Sequence, residues 1–182
     1  MIHVVLTGFM AAGKTAVGKR LARRLGRDFI DTDDIIEKRE GDSIEGIFKA
    51  RGEAAFRTCE RAAIAGLDPP RPSVIATGGG SFVDEDNRRC LRGLGVVVCL
   101  VSSIETIIER TSRARTVRPL ASDPERLVEL LAERMPFYRK ADILVETDGL
   151  SVEQAASRVI AMVAPHLRLD PRGGGNAPSK EQ

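Results

Sequence analysis

The sequence lacks the features that mark membrane-spanning, secreted and nucleic-acid-binding proteins. No apolar run approaches the roughly 20 residues needed to span a bilayer. The first residues enter a short apolar run and show no signal-peptide pattern. A net charge of +2 provides no overall field for nucleic acid or anionic lipid. We therefore expect a cytoplasmic protein that binds neither membranes nor nucleic acid.

Cysteine and histidine are also scarce. Cys59, Cys90 and Cys99 are an odd number of residues with no C-x-x-C spacing. This pattern indicates free thiols in a reducing compartment and does not favour a disulfide framework or a zinc site. His3 and His166 lie too far apart in the sequence to suggest a metal-binding pair.

The sequence does contain a complete phosphate-loop motif. Residues 8–15 match G-x-x-x-x-G-K-[ST] at every fixed position. A short β-rich run, residues 2–7, precedes the motif. Behind it, Val17, Leu21 and Leu25 recur every four residues, as they would on the buried face of a helix. The segment therefore predicts a strand, a glycine loop and a helix.

Each residue type in this phosphate loop suits the binding of phosphate. Gly8 and Gly13 let the backbone curve so that successive N–H groups face an anion. The helix that follows directs its positive dipole end at the same point. Lys14 would reach the β- and γ-phosphates of a nucleotide, and the Thr15 hydroxyl would hold Mg²⁺.

The rest of the chain indicates a single α/β domain. Five short apolar, β-rich runs alternate with segments of helical composition. This alternation predicts βαβ units and a parallel sheet of about five strands, and ligands of such sheets bind at the carboxyl ends of the strands. We expect the domain to span residues 1–167, followed by a disordered tail over the Gly- and Pro-rich residues 168–182.

Two carboxylates, Asp31 and Asp33, follow the second predicted strand. If this chain is still extended, both side chains point to the same side, into the cleft. Beside a phosphate loop, one carboxylate could organise Mg²⁺ through water. The other could orient an attacking hydroxyl or accept its proton. A pair of ordinary helix-start aspartates is the alternative interpretation.

Glycines and arginines supply the remaining candidates for a binding site. Residues 78–80, the triglycine segment, follow a strand and predict close backbone approach, by a substrate or in a plain tight turn. Arg57 and Arg134 could bind a carboxylate bidentately, although each also fits a solvated helix position. Residues 112–122 lack periodicity and are rich in arginine. They suggest either a mobile lid that neutralises transferring charge or a solvated basic loop.

Taken together, these motifs resemble those of shikimate kinases. The phosphate loop alone is shared by many kinases, but the combination is much more specific, and it runs in order from about residue 2 to residue 163. Besides the phosphate loop and the triglycine segment, it includes Asp31-Thr32-Asp33, Phe56-Arg57, Thr116-Val117-Arg118-Pro119-Leu120 and Glu133-Arg134-Met135-Pro136-Phe137-Tyr138.

The resemblance implies both a fold and an activity. The implied fold is the nucleoside-monophosphate-kinase-like P-loop fold, an α/β three-layer sandwich with strand order 2-3-1-4-5 and a mobile lid. The implied activity is transfer of the γ-phosphate of ATP to the 3-hydroxyl of shikimate, in the pathway to chorismate and the aromatic amino acids. ATP would be the co-substrate and Mg²⁺ the cofactor. We expect a monomer.

The resemblance also assigns roles to individual residues. The catalytic residues would be Lys14, Asp33 and Arg118, with Asp33 as the candidate base. Thr15 would bind Mg²⁺, with Asp31 near it. The nucleotide would contact Gly8, Ala11, Ala12, Gly13, Lys14, Thr15, Ala16, Arg110 and Arg118. Shikimate would contact Asp33, Arg57, Gly78, Gly79, Gly80 and Arg134.

Two departures from the family pattern and several alternatives remain open. Ala11 stands where the family usually has a third loop glycine, and Ser112-Arg113-Ala114-Arg115 is more basic than expected before the lid arginine. Another small-molecule kinase of this fold, acting on gluconate or a shikimate analogue, is the nearest alternative. A nucleotide-dependent switch would be expected to carry N-K-x-D, which is absent. Retention of the candidate catalytic and binding residues argues against an inactive paralogue.

Overall fold

The computed structural model describes residues 1–113 and 124–168. Strands and helices alternate along these residues, as predicted, with one short 3₁₀ helix at Ser81–Val83. The strands are β1 (His3–Thr7), β2 (Asp28–Asp31), β3 (Ser73–Ala76), β4 (Gly95–Val101) and β5 (Ile143–Glu146). The helices are α1 (Lys14–Leu25), α2 (Thr32–Glu40), α3 (Ile44–Ala65), α4 (Glu85–Leu94), α5 (Ile104–Arg113), α6 (Pro124–Tyr138) and α7 (Val152–Arg168).

The strands form one parallel sheet in the order β2-β3-β1-β4-β5, which confirms the predicted fold class. The register aligns the carboxyl ends of the central strands. Ala76 of β3 pairs with Leu6 of β1 and with Asp31 of β2, and Thr7 of β1 pairs with Cys99 of β4. The segments that leave these strands therefore emerge together at one edge of the sheet, where parallel sheets bind their ligands.

Helices cover both faces of the sheet, because side chains alternate between the two faces along each strand. Val4 and Leu6 pack on one face in a cluster that includes Leu21 of α1 and Val159 of α7. Val5 packs on the other face, in a cluster built largely from α4, α5, α6 and the end of α3. A third, smaller cluster joins α2 to α3. This arrangement gives the three layers that were predicted.

Some predicted boundaries differ from those in the structure. Helix α5 continues to Arg113, so the first two residues of the predicted lid belong to a helix, and residues 114–122 lie outside the described residues. Helix α7 ends at Arg168, one residue into the predicted tail, and residues 169–182 also lie outside. Within residues 1–113 and 124–168, no helix is both long and apolar enough to cross a membrane.

The described residues include all three cysteines and both histidines. Cys59, Cys90 and Cys99 are free thiols. His3 is a buried residue of β1 whose Nδ1 accepts a hydrogen bond from the Ser73 N–H. His166 lies exposed near the end of α7.

Candidate active site

The phosphate loop connects the carboxyl end of β1 to the start of α1. Gly8 has a φ of +131°, and a Cβ at this position would lie 2.3 Å from the Leu100 carbonyl oxygen of β4. No side chain fits there, so the loop can pass this closely over β4 only with glycine. Gly13 precedes α1, and no side chain caps the first turn of that helix. The N–H groups of this turn are therefore available to an anion.

Lys14 is the first residue of α1, and its side chain turns back over the loop. The residue is buried, and its Nζ donates hydrogen bonds to the carbonyl oxygens of Gly8 at 2.9 Å and Phe9 at 2.8 Å. These bonds hold the ammonium group against the loop backbone. The positive charge thus lies in the same loop as the first-turn N–H groups of α1.

A cavity of about 300 Å³ opens beside the phosphate loop. It contains most of the residues that the sequence assigns to the phosphates, Mg²⁺ and the transfer step. Its lining comprises Ala11, Gly13, Lys14, Thr15, Ala16, Asp31, Asp33, Thr77, Gly78, Gly79, Arg110 and Thr111. We call this space the phosphate cavity.

Thr15 and Asp31 meet in the phosphate cavity. The Thr15 hydroxyl donates a hydrogen bond of 2.9 Å to Asp31 Oδ2. Adjacent ligands in an octahedral Mg²⁺ shell, about 2.1 Å from the ion, are about 3 Å apart. These two oxygen atoms therefore have a spacing and a chemistry that fit Mg²⁺. The described residues contain no cluster of three or more His, Cys, Asp or Glu side chains suited to a metal ion, so waters and phosphates would complete the shell.

The predicted geometry of the aspartate pair is wrong. Asp31 is the last residue of β2, but α2 begins at Thr32, so Asp33 belongs to a helix and not to extended chain. The reason is local, because Asp31 Oδ1 accepts a hydrogen bond from the Asp33 N–H and caps the helix. Both residues nevertheless line the phosphate cavity, Asp31 from the end of a strand and Asp33 from the first turn of a helix.

A smaller, mostly apolar cavity of about 250 Å³ adjoins the phosphate loop. Ala12, Ala16 and Leu150 contribute to its lining, and Arg110 lines both this cavity and the phosphate cavity. The Arg110 guanidinium donates hydrogen bonds to the Ala11 carbonyl oxygen at 3.2 Å and to Ser102 Oγ at 3.4 Å. The predicted nucleotide residues on α1 and α5 are therefore next to each other.

A third cavity, which we call the arginine cavity, has a volume of about 510 Å³. It contains both arginines that the sequence predicts for a carboxylate, Arg57 from α3 and Arg134 from α6, although 77 positions separate them in the chain. Gly80 also lines this cavity. The fold thus brings together residues that had no visible relation by spacing.

Arg57 is fixed by two carboxylates. Its guanidinium bonds to Glu60 at 2.8 Å and to Glu53 at 2.9 Å. Burial acts to lower the pKa of Arg57, but the charge of Glu60 and the hydrogen bonds that the guanidinium donates to Glu60 and Glu53 outweigh it, so the pKa is raised. Arg57 therefore stays charged while partly buried, as a group that binds a carboxylate must.

Arg134 is held differently. It is buried, and its guanidinium carbon lies 5.7 Å from the centre of the Phe9 ring, within cation–π range. One turn later in α6, the Tyr138 hydroxyl donates a hydrogen bond to the Gly79 carbonyl oxygen. Helix α6 is thus attached to the triglycine segment beside its buried arginine.

The triglycine segment separates the phosphate cavity from the arginine cavity, since Gly78 and Gly79 line the first and Gly80 lines the second. A Cβ at Gly80 would lie 2.6 Å from Arg57 Nη1, and one at Gly78 would lie 3.1 Å from Asp33 Oδ1. Side chains of the protein therefore crowd this segment, among them Glu60, Arg57 and Asp33. The predicted backbone contact with a substrate stays a prediction.

Sequence reasoning missed the buried side chains behind the site. Glu60 is 1% exposed and bonds both Arg57 and the Ser81 hydroxyl. Tyr138 is also 1% exposed. The sequence includes it in the family motif but assigns it no role. The spacing of Glu60, three residues after Arg57 on a helix, was a usable signal, whereas nothing local in the sequence indicated Ser81 or the Tyr138–Gly79 bond.

Arg118, the predicted lid arginine, lies outside the described residues. The same holds for Arg115 and for Pro119 and Leu120 of the family motif. All other predicted site residues are described. They surround one edge of the sheet, at the carboxyl ends of β1, β2 and β3.

Comparison with known proteins gives a consistent result. A family model described as shikimate kinase matches residues 10–164. Shikimate kinase of Thermodesulfovibrio yellowstonii is 44% identical over 163 residues, with 88% of this chain and 94% of the relative covered. A shikimate kinase of Thermus thermophilus is 45% identical over 166 residues, with 90% of each chain covered.

A solved structure supports the same assignment. Shikimate kinase from Acinetobacter baumannii in complex with shikimate superposes with a TM-score of 0.85 at 36% identity, covering 91% of this chain and 94% of that one. The family match, the relatives and the structure agree over nearly the same residues. The chain belongs to the shikimate kinase family.

Proposed function

We propose that this protein transfers the γ-phosphate of ATP to the 3-hydroxyl of shikimate and releases shikimate 3-phosphate and ADP. The product would serve the pathway to chorismate and the aromatic amino acids. One observation carries the proposal: a phosphate-loop cavity and a cavity lined by Arg57 and Arg134 meet at a single backbone segment, the triglycine segment. A phosphoryl donor and a carboxylate-bearing acceptor would therefore face each other across it.

At the donor end, the first-turn N–H groups of α1 and the ammonium of Lys14 would bind the β- and γ-phosphates. Thr15 and Asp31 would hold Mg²⁺, directly or through water. Mg²⁺ supplies charge neutralisation on the transferring phosphoryl group when it is bound. The apolar cavity that Arg110 and Ala12 share suits the flat base of the nucleotide, with the Arg110 guanidinium beside it.

At the acceptor end, Arg57 and Arg134 would bind the carboxylate of shikimate, and Gly79 and Gly80 would offer backbone contacts. Asp33 lines the phosphate cavity and lies next to Gly78 of the triglycine segment, which separates the two cavities. Its carboxylate would orient the attacking hydroxyl and accept the hydroxyl proton as the O–P bond forms. Positioning and charge stabilisation are the main tasks that phosphoryl transfer leaves to a protein.

Three further parts of the proposal rest on the sequence and the family. Arg118 would contact the transferring phosphate from a lid over residues 112–122, and its loss would lower mainly kcat. The kinase domain would span residues 1–167. The enzyme would act as a monomer in the cytoplasm, in keeping with its family and its sequence composition.

The first experiment measures ADP release from Mg-ATP by the purified protein, with and without shikimate. Gluconate and a nucleoside monophosphate serve as control acceptors. We expect release that depends on shikimate and that is weak with both controls, because neither control presents the carboxylate and ring hydroxyls together.

The controls also define the outcomes that would contradict the proposal. Faster release with gluconate would keep the phosphoryl-transfer mechanism but move the acceptor to another class. Measurable ATP binding with no release in the presence of any acceptor would favour a nucleotide-binding protein without kinase activity.

A further inference from the structure

Tyr138 occupies an unusual position for a residue so close to the site. Its ring is buried in the core cluster that also holds Phe9 and Phe82. It lines none of the three cavities of the site, so no ligand in them would touch it. Only its hydroxyl group reaches the binding region, where it donates a hydrogen bond to the Gly79 carbonyl oxygen, 59 positions earlier in the chain.

Arg134 precedes Tyr138 by one helical turn on α6, so the bond to Gly79 attaches the helix that carries Arg134 to the triglycine segment. Burial raises the pKa of Tyr138, while the charge of Arg134 acts in the opposite direction. The hydroxyl therefore stays protonated at neutral pH. Its one hydrogen is donated to the Gly79 carbonyl oxygen.

We propose that Tyr138 is a positioning residue that sets the Arg134 guanidinium and the Gly79 backbone in register with each other for binding of the acceptor carboxylate. This inference rests on the proposed function, because it concerns the same acceptor. Long arginine side chains lose substantial rotamer entropy when they bind. The Tyr138–Gly79 bond fixes the helix that carries Arg134 beside the triglycine segment, and so limits the positions that the Arg134 side chain can reach before the acceptor binds.

Removing only the hydroxyl group tests the inference. We expect Tyr138→Phe to raise the KM for shikimate about tenfold, because it leaves the Gly79 carbonyl oxygen without this hydrogen bond and frees α6 from the triglycine segment. The KM for ATP and kcat should stay within about twofold, because the phosphate loop is untouched. A general loss of folding would instead lower the active fraction and leave both KM values unchanged.

Ser73→Ala is a matched control. Ser73 is also buried, and its hydroxyl also donates to a backbone carbonyl, that of Arg71 at 2.8 Å. It lies at the start of β3, at the opposite end of the strand from the triglycine segment. We expect this variant to show the wild-type KM for shikimate, whatever it does to stability.

A double mutant separates action through Arg134 from an independent effect. If Tyr138 works by positioning Arg134, then Tyr138→Phe should change the shikimate KM by less than about twofold in an Arg134→Ala background. The same tenfold effect in both backgrounds would overturn the inference, and so would an unchanged KM in the single mutant.

The wild-type protein offers an independent measurement. Tyr138 is the one tyrosine in the sequence, which has no tryptophan, so tyrosine emission reports on this side chain alone. Shikimate titrated without nucleotide should change that emission saturably. A flat emission or an unchanged KM, with normal wild-type turnover, would overturn only the role of Tyr138. Absence of shikimate-dependent ADP release from the wild type would overturn the proposed function itself.

Discussion

The phosphate-binding and acceptor-binding sides of the site are built in different ways. The phosphate side is almost one continuous segment that contains Gly8, Lys14 and Thr15. Lys14 donates a hydrogen bond to the Gly8 carbonyl oxygen, and Thr15 donates one to Asp31. The acceptor side is assembled from α3, α6 and the triglycine segment. The buried Glu60 bonds Arg57, and the buried Tyr138 attaches the helix of Arg134 to the triglycine segment.

This difference decides how each side responds to change. A local site depends on backbone conformation and on a few charged atoms, so single substitutions there should affect the chemistry strongly. An assembled site depends on buried ion pairs and on tertiary packing. Substitutions there should alter stability and acceptor binding together. The following predictions test that contrast, beginning with the largest expected effect.

Lys14→Ala attacks the phosphate side. The Lys14 ammonium is buried against the loop, where it bonds two backbone carbonyl oxygens. We expect its loss to lower kcat/KM by about a thousandfold, as for other groups that stabilise developing charge. The loss should be the same for any acceptor, because Lys14 contacts only the donor side. Steady-state kinetics with ATP and shikimate provide the measurement.

The matched control for that prediction is Lys19→Ala, on the same helix. Lys19 is exposed and lies 5.8 Å from the Phe29 ring, away from the phosphate cavity. It should retain wild-type kinetics. Substantial activity in Lys14→Ala would mean that the loop backbone alone binds the phosphates.

Glu60→Gln alters the acceptor side through the buried partner of Arg57. The substitution keeps the shape of the side chain but leaves the guanidinium of Arg57 without its buried ionic partner. We expect the free energy of unfolding to fall by about 2 kcal/mol, toward the lower end for broken buried pairs because amide hydrogen bonds remain possible. Urea denaturation measures the change.

Glu53→Gln removes the other carboxylate that bonds Arg57 and is the control. Glu53 is 54% exposed, so its ion pair is screened by solvent, and the expected change is within about 0.5 kcal/mol. Equal losses in the two variants would show that burial of Glu60 does not matter, and the contrast between the two sides would lose its basis.

The same contrast explains how much could be predicted from the sequence. The phosphate loop could be located from spacing alone, because its residues lie within one short segment. Backbone geometry or charge explains why each residue type is needed there. The strand order and the arginine pair came from the family resemblance, since no local pattern relates Arg57 to Arg134. Asp33 was expected to face the cleft from extended chain, whereas it lines the phosphate cavity from the first turn of α2, because helix capping by Asp31 outweighed continuation of the strand.

Other parts of the site could not be predicted for a physical reason. The bond between Ser81 and Glu60 joins residues 21 positions apart, and that between Tyr138 and Gly79 joins residues 59 apart. Such contacts exist only once the sheet has brought its carboxyl ends together. A buried glutamate on an arginine-rich helix looks, in sequence, like any exposed ion pair.

Ala11→Gly probes the local backbone of the phosphate side. Ala11 is the one described non-glycine residue with a positive φ, +58°, a conformation that costs an L-residue about 1 kcal/mol or more. Glycine removes this strain but adds entropy to the unfolded chain. We expect the free energy of unfolding to change by less than about 1 kcal/mol, and thermal unfolding checks it.

Ala12→Gly is the neighbouring control. Ala12 is buried and has no positive φ, so glycine there adds chain entropy without relieving strain and loses a buried methyl group. It should be the less stable variant by about 1 kcal/mol. If both variants lost equal stability, Ala11 would not be strained in solution.

We expect the smallest effect from His3→Asn. His3 lies at the start of β1, away from both the phosphate side and the acceptor side of the site. Burial, then the charges of the N-terminus and Arg27, lower the pKa of His3 below its usual value. As the pH falls through about 6.5, the unfolded chain gains a proton before the folded one does, so stability present above that pH is lost below it.

Asparagine keeps an acceptor for the Ser73 N–H but does not titrate. We expect the melting temperature of the variant to depend less on pH between about 7 and 5, with both KM values unchanged. A pH dependence in His3→Asn identical to that of the wild type would show that another group controls it.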